Sequence, residues 1–310
     1  MLKSEQIRRK ESIRDIVRDY RYNRNIPQRG LLIDNRPAMT QIDPQKVGEY
    51  VLVTVRDPLC SYGCDPAKLI AEKLEKSERI GLSGMFTSYS GTYKGARITV
   101  VSGGSGASEA ELLLYDYMEY SAATTYIRVG GSGGMGDDVN PGDIVISSGV
   151  VREDGMTSSY IPQSFPAVCN YEVVLAMVRA AEELKCSYHV GITLSVSSDF
   201  VGCGRPGVGG YLQPWNVQMP GIYNRAGVLN GDRESAAIVT LANLFGFRGG
   251  SVCSVADNMI TGKKFKAGCG HLNAIDLVLE GCAVLHQMDY EKASKRYWYP
   301  ELTKERDNLI

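Results

Sequence analysis

The sequence predicts an α/β domain built around a mostly parallel, twisted sheet. Three observations predict it. Strand-like and helix-like segments alternate from Tyr50 to Gln287. The strand-like segments are apolar almost throughout, as strands covered on both faces should be. Several of them run straight into glycine-rich turns.

The elements follow in order. Residues 1–25 are charged, with apolar residues at Ile7, Ile13 and Ile16, and predict a short amphipathic helix or an arm. Residues 26–48 hold "PQRG", "DNRP" and "DPQK" and predict a loop-rich lead-in. "YVLVTV" (50–55) is a strand and "PAKLIAEKLEKS" (66–77) has helical spacing. "RITVVSGG" (97–104) is a strand, "ASEAELLLYDYMEY" (107–120) a helix, and "TTYIRVGGSGG" (124–134) and "DIVISSGVV" (143–151) are strands. A helix over 170–185, a strand over 187–198, a helix over 232–246, a strand over 250–258 and a helix over 271–287 complete the pattern. No linker divides this run, so the expected organisation is an extension (1–47), one domain (48–290) and a charged, aromatic tail (291–310).

Composition excludes several classes of function. Net charge is −1 and apolar content 44%, which argues against nucleic acid or a membrane surface as the main partner. No apolar run is long enough to span a bilayer, and the charged N-terminus does not read as a signal peptide. The eight cysteines are scattered through a chain too long to need staples, so reduced thiols and a cytoplasmic location are expected. Cys60 and Cys64 resemble half of a metal site, but the three histidines lie far away, and no metal is expected.

The chemistry concentrates in a few segments. "SGGSGAS" (102–108) and "GGSGGMG" (130–136) follow strands and let backbone N–H groups approach a ligand, or simply make tight turns. Neither has dinucleotide-binding spacing. "NGDRESAAIVTL" (230–241) crowds Asp232, Arg233 and Glu234 into one helix start. Acids there favour the helix dipole; an arginine between them does not, and the acids are either caps or a pair aimed at something polar.

In this order and spacing, the segments resemble the nucleoside phosphorylase and nucleosidase superfamily, closest to uridine phosphorylase with some features of purine nucleoside phosphorylases. "SGGSGASEAEL" is similar to the family's "S-x-G-x-G-x-P-S", and "IRVGGSGGMGDDVNPGDIVI" to "R-[IV]-G-[TS]-x-G" and the strand after it. "SSDFVGCGR" is similar to "D-F-Y-x-G-Q-x-R", "NGDRESAAIVTL" to "N-x-E-M-E-[SA]-[AS]", and "CSVADN" to "C-x-V-S-D-[HN]". The likeness covers roughly residues 50–290.

The resemblance implies a single domain with a mixed, twisted sheet partly curled into a barrel and flanked by helices, and cleavage of an N-glycosidic bond by phosphate, or by water in the nucleosidase branch. The transition state has oxocarbenium character. It implies catalytic roles for Glu234, Asp257 and Arg128. Glu234 falls where a carboxylate grips the ribose hydroxyls, with Asp232 and Arg233 beside it; Arg233 stands at a methionine of the family. Gln28 falls near a contact to the 5′-hydroxyl of a neighbouring subunit's ligand. Phe200 falls at the aromatic that packs on the base, and Arg205 at the arginine that donates to a pyrimidine carbonyl. Cys203 replaces the glutamine that reads the uracil amide edge, and Ser132 and Gly133 join the base site. Asp257 falls where purine-cleaving relatives assist N7 of the leaving base. The pocket thus mixes two branches.

The phosphate site departs furthest from the pattern. Arg128 is present with Gly131, but the other two arginines of the family fall at Cys60 and about Gly84. Arg56, in "VRDPLC", is the expected substitute. The resemblance implies phosphorolysis of a uridine-like nucleoside with inorganic phosphate as co-substrate and no cofactor. It leaves open a nucleosidase and an inactive nucleoside-binding subunit. A homodimer or trimer of dimers is the implied assembly.

Overall fold

The computed structural model describes residues 30–57 and 63–302. The predicted N-terminal helix, Gln28 and Cys60 lie outside the described residues. The chain enters through a small hairpin, β1 (Leu32–Ile33) with β2 (Arg36–Pro37). The large sheet follows: β3 (Tyr50–Val55), β4 (Glu75–Leu82), β5 (Thr87–Tyr93), β6 (Ala96–Gly103), β7 (Thr125–Gly134) and β8 (Ile144–Glu153). It continues with β9 (Ala167–Val168), β10 (Tyr188–Val196), β11 (Val228–Asp232) and β12 (Arg248–Asn258). Among the described residues six α-helices flank it: α1 (Pro66–Ala71), α2 (Ala107–Tyr120), α3 (Tyr171–Leu184), α4 (Pro214–Arg225), α5 (Ser235–Phe245) and α6 (His271–Lys292).

The strand order is β11-β10-β8-β12-β7-β3-β6-β5-β4, and β11 also pairs with β7. That pairing closes β7, β12, β8, β10 and β11 into a five-stranded barrel, while β3, β6, β5 and β4 extend from it as an open arm. The sheet is mixed rather than mostly parallel. Parallel pairs join β3–β6, β3–β7, β7–β12, β8–β10 and β10–β11, and as many antiparallel pairs join the rest.

Period-two alternation divides the core between two faces. Tyr50 and Leu52 of β3 and Ile127 and Val129 of β7 pack with α3 and α6. Val51 and Val53, with Tyr126, pack with α2 and α5. Arg128 therefore points to the α5 face, and it is among the largest fully buried side chains.

One expectation fails in the arm, and elements there and beside the barrel carry no sequence signal. The helix predicted over 66–77 stops at Ala71, and the chain pairs as β4 from Glu75. β4 buries only Ile80 and Gly81, because it is the sheet's edge, so no apolar signal marks it. α4 carries Pro220 in its interior and buries only Asn216, which hides its helical period.

Candidate active site

β7 changes partners along its length. Thr125–Arg128 pair with β3; Gly133 and Gly134 pair with β11. Between the two pairings this edge of the strand opens, and a cleft forms over Arg128, Gly131, Ser132 and Gly133. Gly130 is required here, because a Cβ at that position would overlap the Arg128 guanidinium.

Asp232 and Glu234 answer for different things. Asp232 ends β11 and caps α5: its carboxylate accepts from the Ser235 amide at 3.1 Å and the Ser235 hydroxyl at 2.5 Å. Glu234 makes no cap. Its Oε2 accepts from Arg128 Nε at 3.0 Å and lies 2.8 Å from Nη2. Its Oε1 accepts from the Gly106 amide at 2.6 Å and the Ser105 hydroxyl at 3.0 Å. Gly106 reaches it from the glycine turn after β6 with φ of 108°, a conformation that favours glycine. Arg128 Nη1 donates to the Val129 carbonyl at 2.5 Å, and its Nε lies 3.7 Å from Asp232.

Two carboxylates thus share one guanidinium in a buried corner. Burial first, then the Glu234 charge, push the Asp232 carboxyl up to about 6, against the pull of Arg128. His271 starts α6 behind Arg128, its Nδ1 3.4 Å from Ser254 Oγ. Burial and then the Arg128 charge push its imidazole down to about 4, so it is neutral near pH 7.

The far end of the cleft is apolar, lined by Met135, Leu194, Val196, Met219, Met259 and Phe265. Polar groups converge within it. Ser132 Oγ donates to the Ser254 carbonyl at 2.9 Å and accepts from Asn230 at 2.9 Å. Arg205 Nη2 donates to Asp257 Oδ2 at 2.7 Å. Cys203 donates to the Ser198 carbonyl at 3.2 Å, and burial pushes its thiol up. Such an apolar pocket with a few convergent polar groups is the usual form of a small-molecule site.

The cleft gathers Arg128, Gly131, Ser132, Gly133, Cys203, Arg205, Asp232, Arg233, Glu234 and Asp257 among its walls. Two expected residues are not there. Phe200 is 63% exposed and is not among the lining residues; Phe265 supplies an aromatic instead. Arg56 turns away from Arg128, with its Nε on Asp65 at 3.0 Å, Nη1 on the Met85 carbonyl at 3.0 Å and Nη2 on Thr87 at 2.7 Å. These partners on α1's cap and the arm hold it outside the cleft, so it does not converge with Arg128 on one anion. Gly84 lies between β4 and β5. Arg233 pairs with Asp199 at 2.8 Å, not with Asp232, and touches Ser105 at 3.3 Å.

Sequence reasoning missed Asp57, Ser105, Val196 and Asp199, all in the lining. Each sits at or within three residues of a strand's carboxyl end, where ligands of α/β sheets bind. Met219 and Phe265 carry no comparable signal.

The sequence of this chain is similar to those of known proteins. Residues 58–268 match the family model described as the Phosphorylase superfamily. The chain belongs to that superfamily. A uridine phosphorylase of Thermococcus kodakarensis is 35% identical over 240 residues, covering 76% of this chain and 86% of that protein. A uridine phosphorylase of Escherichia coli is 28% identical over 196 residues, 63% of this chain and 77% of that protein. A guanosine phosphorylase of Halorubrum lacusprofundi is 26% identical over 202 residues, 64% of this chain and 78% of that protein. The curled, mixed sheet expected from the motifs is the fold found. No helix among the described residues is long and apolar enough to cross a membrane.

Proposed function

We propose that this phosphorylase-superfamily member is a pentosyltransferase that phosphorolyses a ribonucleoside, uridine-like in its base, to free base and ribose 1-phosphate. One observation carries the reading: the buried Glu234 carboxylate is held between Arg128 and the Ser105–Gly106 turn, facing the cleft. A carboxylate there accepts from ribose hydroxyls and favours positive charge developing in the sugar ring. Ser105 Oγ is the donor that a ribose hydroxyl displaces. Arg128, beside the Gly131 backbone, draws the attacking phosphate, and Arg205 and Asp257 address the base. Phosphate attacks the anomeric carbon as the C–N bond to the base breaks. The reaction needs no organic cofactor or metal. In this reading the enzyme is cytoplasmic, salvages pyrimidines, and works as a homodimer or trimer of dimers.

A second reading has a specific observation behind it. Three arginines in the lining face five carboxylates, Asp57, Asp199, Asp232, Glu234 and Asp257, and Arg56 is engaged elsewhere. An acidic cleft favours a neutral acceptor over an anion, as in a nucleosidase that uses water. Incubation with uridine and with inosine, each with and without phosphate, separates the two. Phosphate-dependent release of ribose 1-phosphate is the expected result. Free ribose appearing without phosphate would establish the second reading.

A further inference from the structure

Resting on the reading of this cleft as a nucleoside site, we infer that Arg205 and Asp257 form one composite amide-reading edge that replaces the missing glutamine at Cys203. The two residues lie on different elements, Asp257 in β12 and Arg205 just beyond the turn that holds Cys203. They meet through a single hydrogen bond, Arg205 Nη2 to Asp257 Oδ2 at 2.7 Å. Among the described residues no other hydrogen bond is made by Arg205 or Asp257 side-chain atoms, so Nη1 and Oδ1 remain available. Both groups lie against a glycine: a Cβ at Gly133 would sit 3.0 Å from Oδ1 and 3.6 Å from Nη2. The floor beneath the pair is bare backbone, where a flat ring can approach.

An acceptor-only carboxylate oxygen beside a donor-only guanidinium presents the same pattern as a primary amide, one acceptor next to one donor. Cysteine presents no such pair, and the Cys203 thiol is spent on the Ser198 carbonyl. The composite edge matches a ring N–H flanked by a carbonyl: the N–H donates to Oδ1 and the carbonyl accepts from Nη1. A cyclic imide N–H is a stronger donor than an aromatic amine, and a carbonyl oxygen a better guanidinium acceptor than a ring nitrogen. The pair therefore selects oxo bases over amino bases. Asp257 acts here as a reader of the ring N–H and a positioner of Arg205, not as a proton donor to a purine N7.

The experiment measures binding by calorimetry in the absence of phosphate, so it does not depend on turnover. Uridine, N3-methyluridine and cytidine are titrated into wild type and into Asp257→Ala and Asp257→Asn, with each variant's melting temperature as the check on folding. Wild type should prefer uridine to N3-methyluridine and to cytidine by about 10- to 100-fold, the range of a lost hydrogen bond to a charged group. Asp257→Ala should weaken uridine by a similar factor and leave N3-methyluridine nearly unchanged, collapsing the ratio; Asp257→Asn, which keeps an amide oxygen, should fall between. The inference is overturned if folded Asp257→Ala weakens uridine and N3-methyluridine equally, or if wild type binds cytidine as well as uridine. Uridine bound selectively but never phosphorolysed would instead remove the phosphorylase reading and leave the composite edge standing. No uridine binding at all would remove both.

Discussion

Two buried ionic clusters sit at opposite ends of the barrel strands, and they differ in charge balance. At the start of β12, Arg248 donates to Glu172 at 3.1 Å and to both oxygens of Asp289 at 2.7 Å. Lys292 adds contacts of 2.8 Å to Glu172 and 3.2 Å to Asp289, and Tyr50 and the Trp298 amide complete the shell. Two cations meet two anions there. In the cleft, Arg128 is the one cation among the described residues that pairs with Asp232 and Glu234. The consequence is opposite in sign. Burial works to raise Glu172 and Asp289, but hydrogen bonds from Lys292 and Arg248 outweigh it and hold both below the usual range. Asp232 is raised. A balanced cluster ties helices α3 and α6 to the sheet; an unbalanced one leaves net negative charge at the cleft.

The largest expected effect comes from removing the shared arginine. Arg128→Met leaves two buried carboxylates without their cation and should cost about 3–5 kcal/mol of stability, together with all measurable turnover. Arg248→Met should cost a similar amount in chemical denaturation, yet the folded fraction should keep wild-type kcat/KM. Loss of turnover in both variants would erase the distinction between the clusters.

Glu234→Gln should lower kcat/KM by about 10²–10³-fold without lowering the melting temperature, because it relieves the repulsion on Asp232. Glu172→Gln should do the reverse, leaving kcat/KM intact and lowering the melting temperature. An unaltered sugar affinity in Glu234→Gln would count directly against the ribose assignment.

The pH dependence sharpens the contrast. Native Asp232 titrates near about 6, above its unfolded value, so the native state holds the extra proton in between. Its contribution to stability falls as pH rises from about 4 to about 6 and stays low above that. Glu172 and Asp289 are depressed, so their contribution is present above about pH 4 and is lost as pH falls through their native values. Urea titrations across this range should show the Asp232→Asn variant losing the first slope and Glu172→Gln losing part of the second.

The smallest effect belongs to Arg233. Its pair with the half-exposed Asp199 should contribute less than about 1 kcal/mol, so Arg233→Met should unfold within a few tenths of a kcal/mol of wild type and keep nucleoside binding.

How much of this was legible in the sequence depended on which physical signal each residue carried. Arg128 and Glu234 stood out because each falls inside a segment that resembles a family motif, and Glu234 also because it crowds a helix start with Asp232 and Arg233. The unbroken apolar runs that made β3, β6, β7 and β12 recognisable are the signature of strands covered on both faces. β4 was missed because an edge strand that buries two residues has no such signature. The direction of Arg56 was not legible, since it depends on Asp65, Thr87 and a carbonyl at Met85, which come together only in the folded arm. Phe200 was placed by the motif it belongs to, but its side chain, just before the 3-10 turn over Val201–Cys203, lies largely in solvent. Arg233 was visible; Asp199 and the pairing of the two were not.

The seam in β7 has a further implication for tolerance to change. Arg128 reaches the acids only because it shares a face with Tyr126, while Ile127 and Val129 point the other way. A single-residue insertion or deletion between Thr125 and Arg128 would deliver an aliphatic side chain to the carboxylates and turn the guanidinium toward α3 and α6. The sheet arm at β4 and β5 can drift in length without such an inversion. The turns around 200–213 carry no such constraint, since a change of length there inverts no strand, whereas the spacing of this one strand cannot change without moving Arg128 off its face.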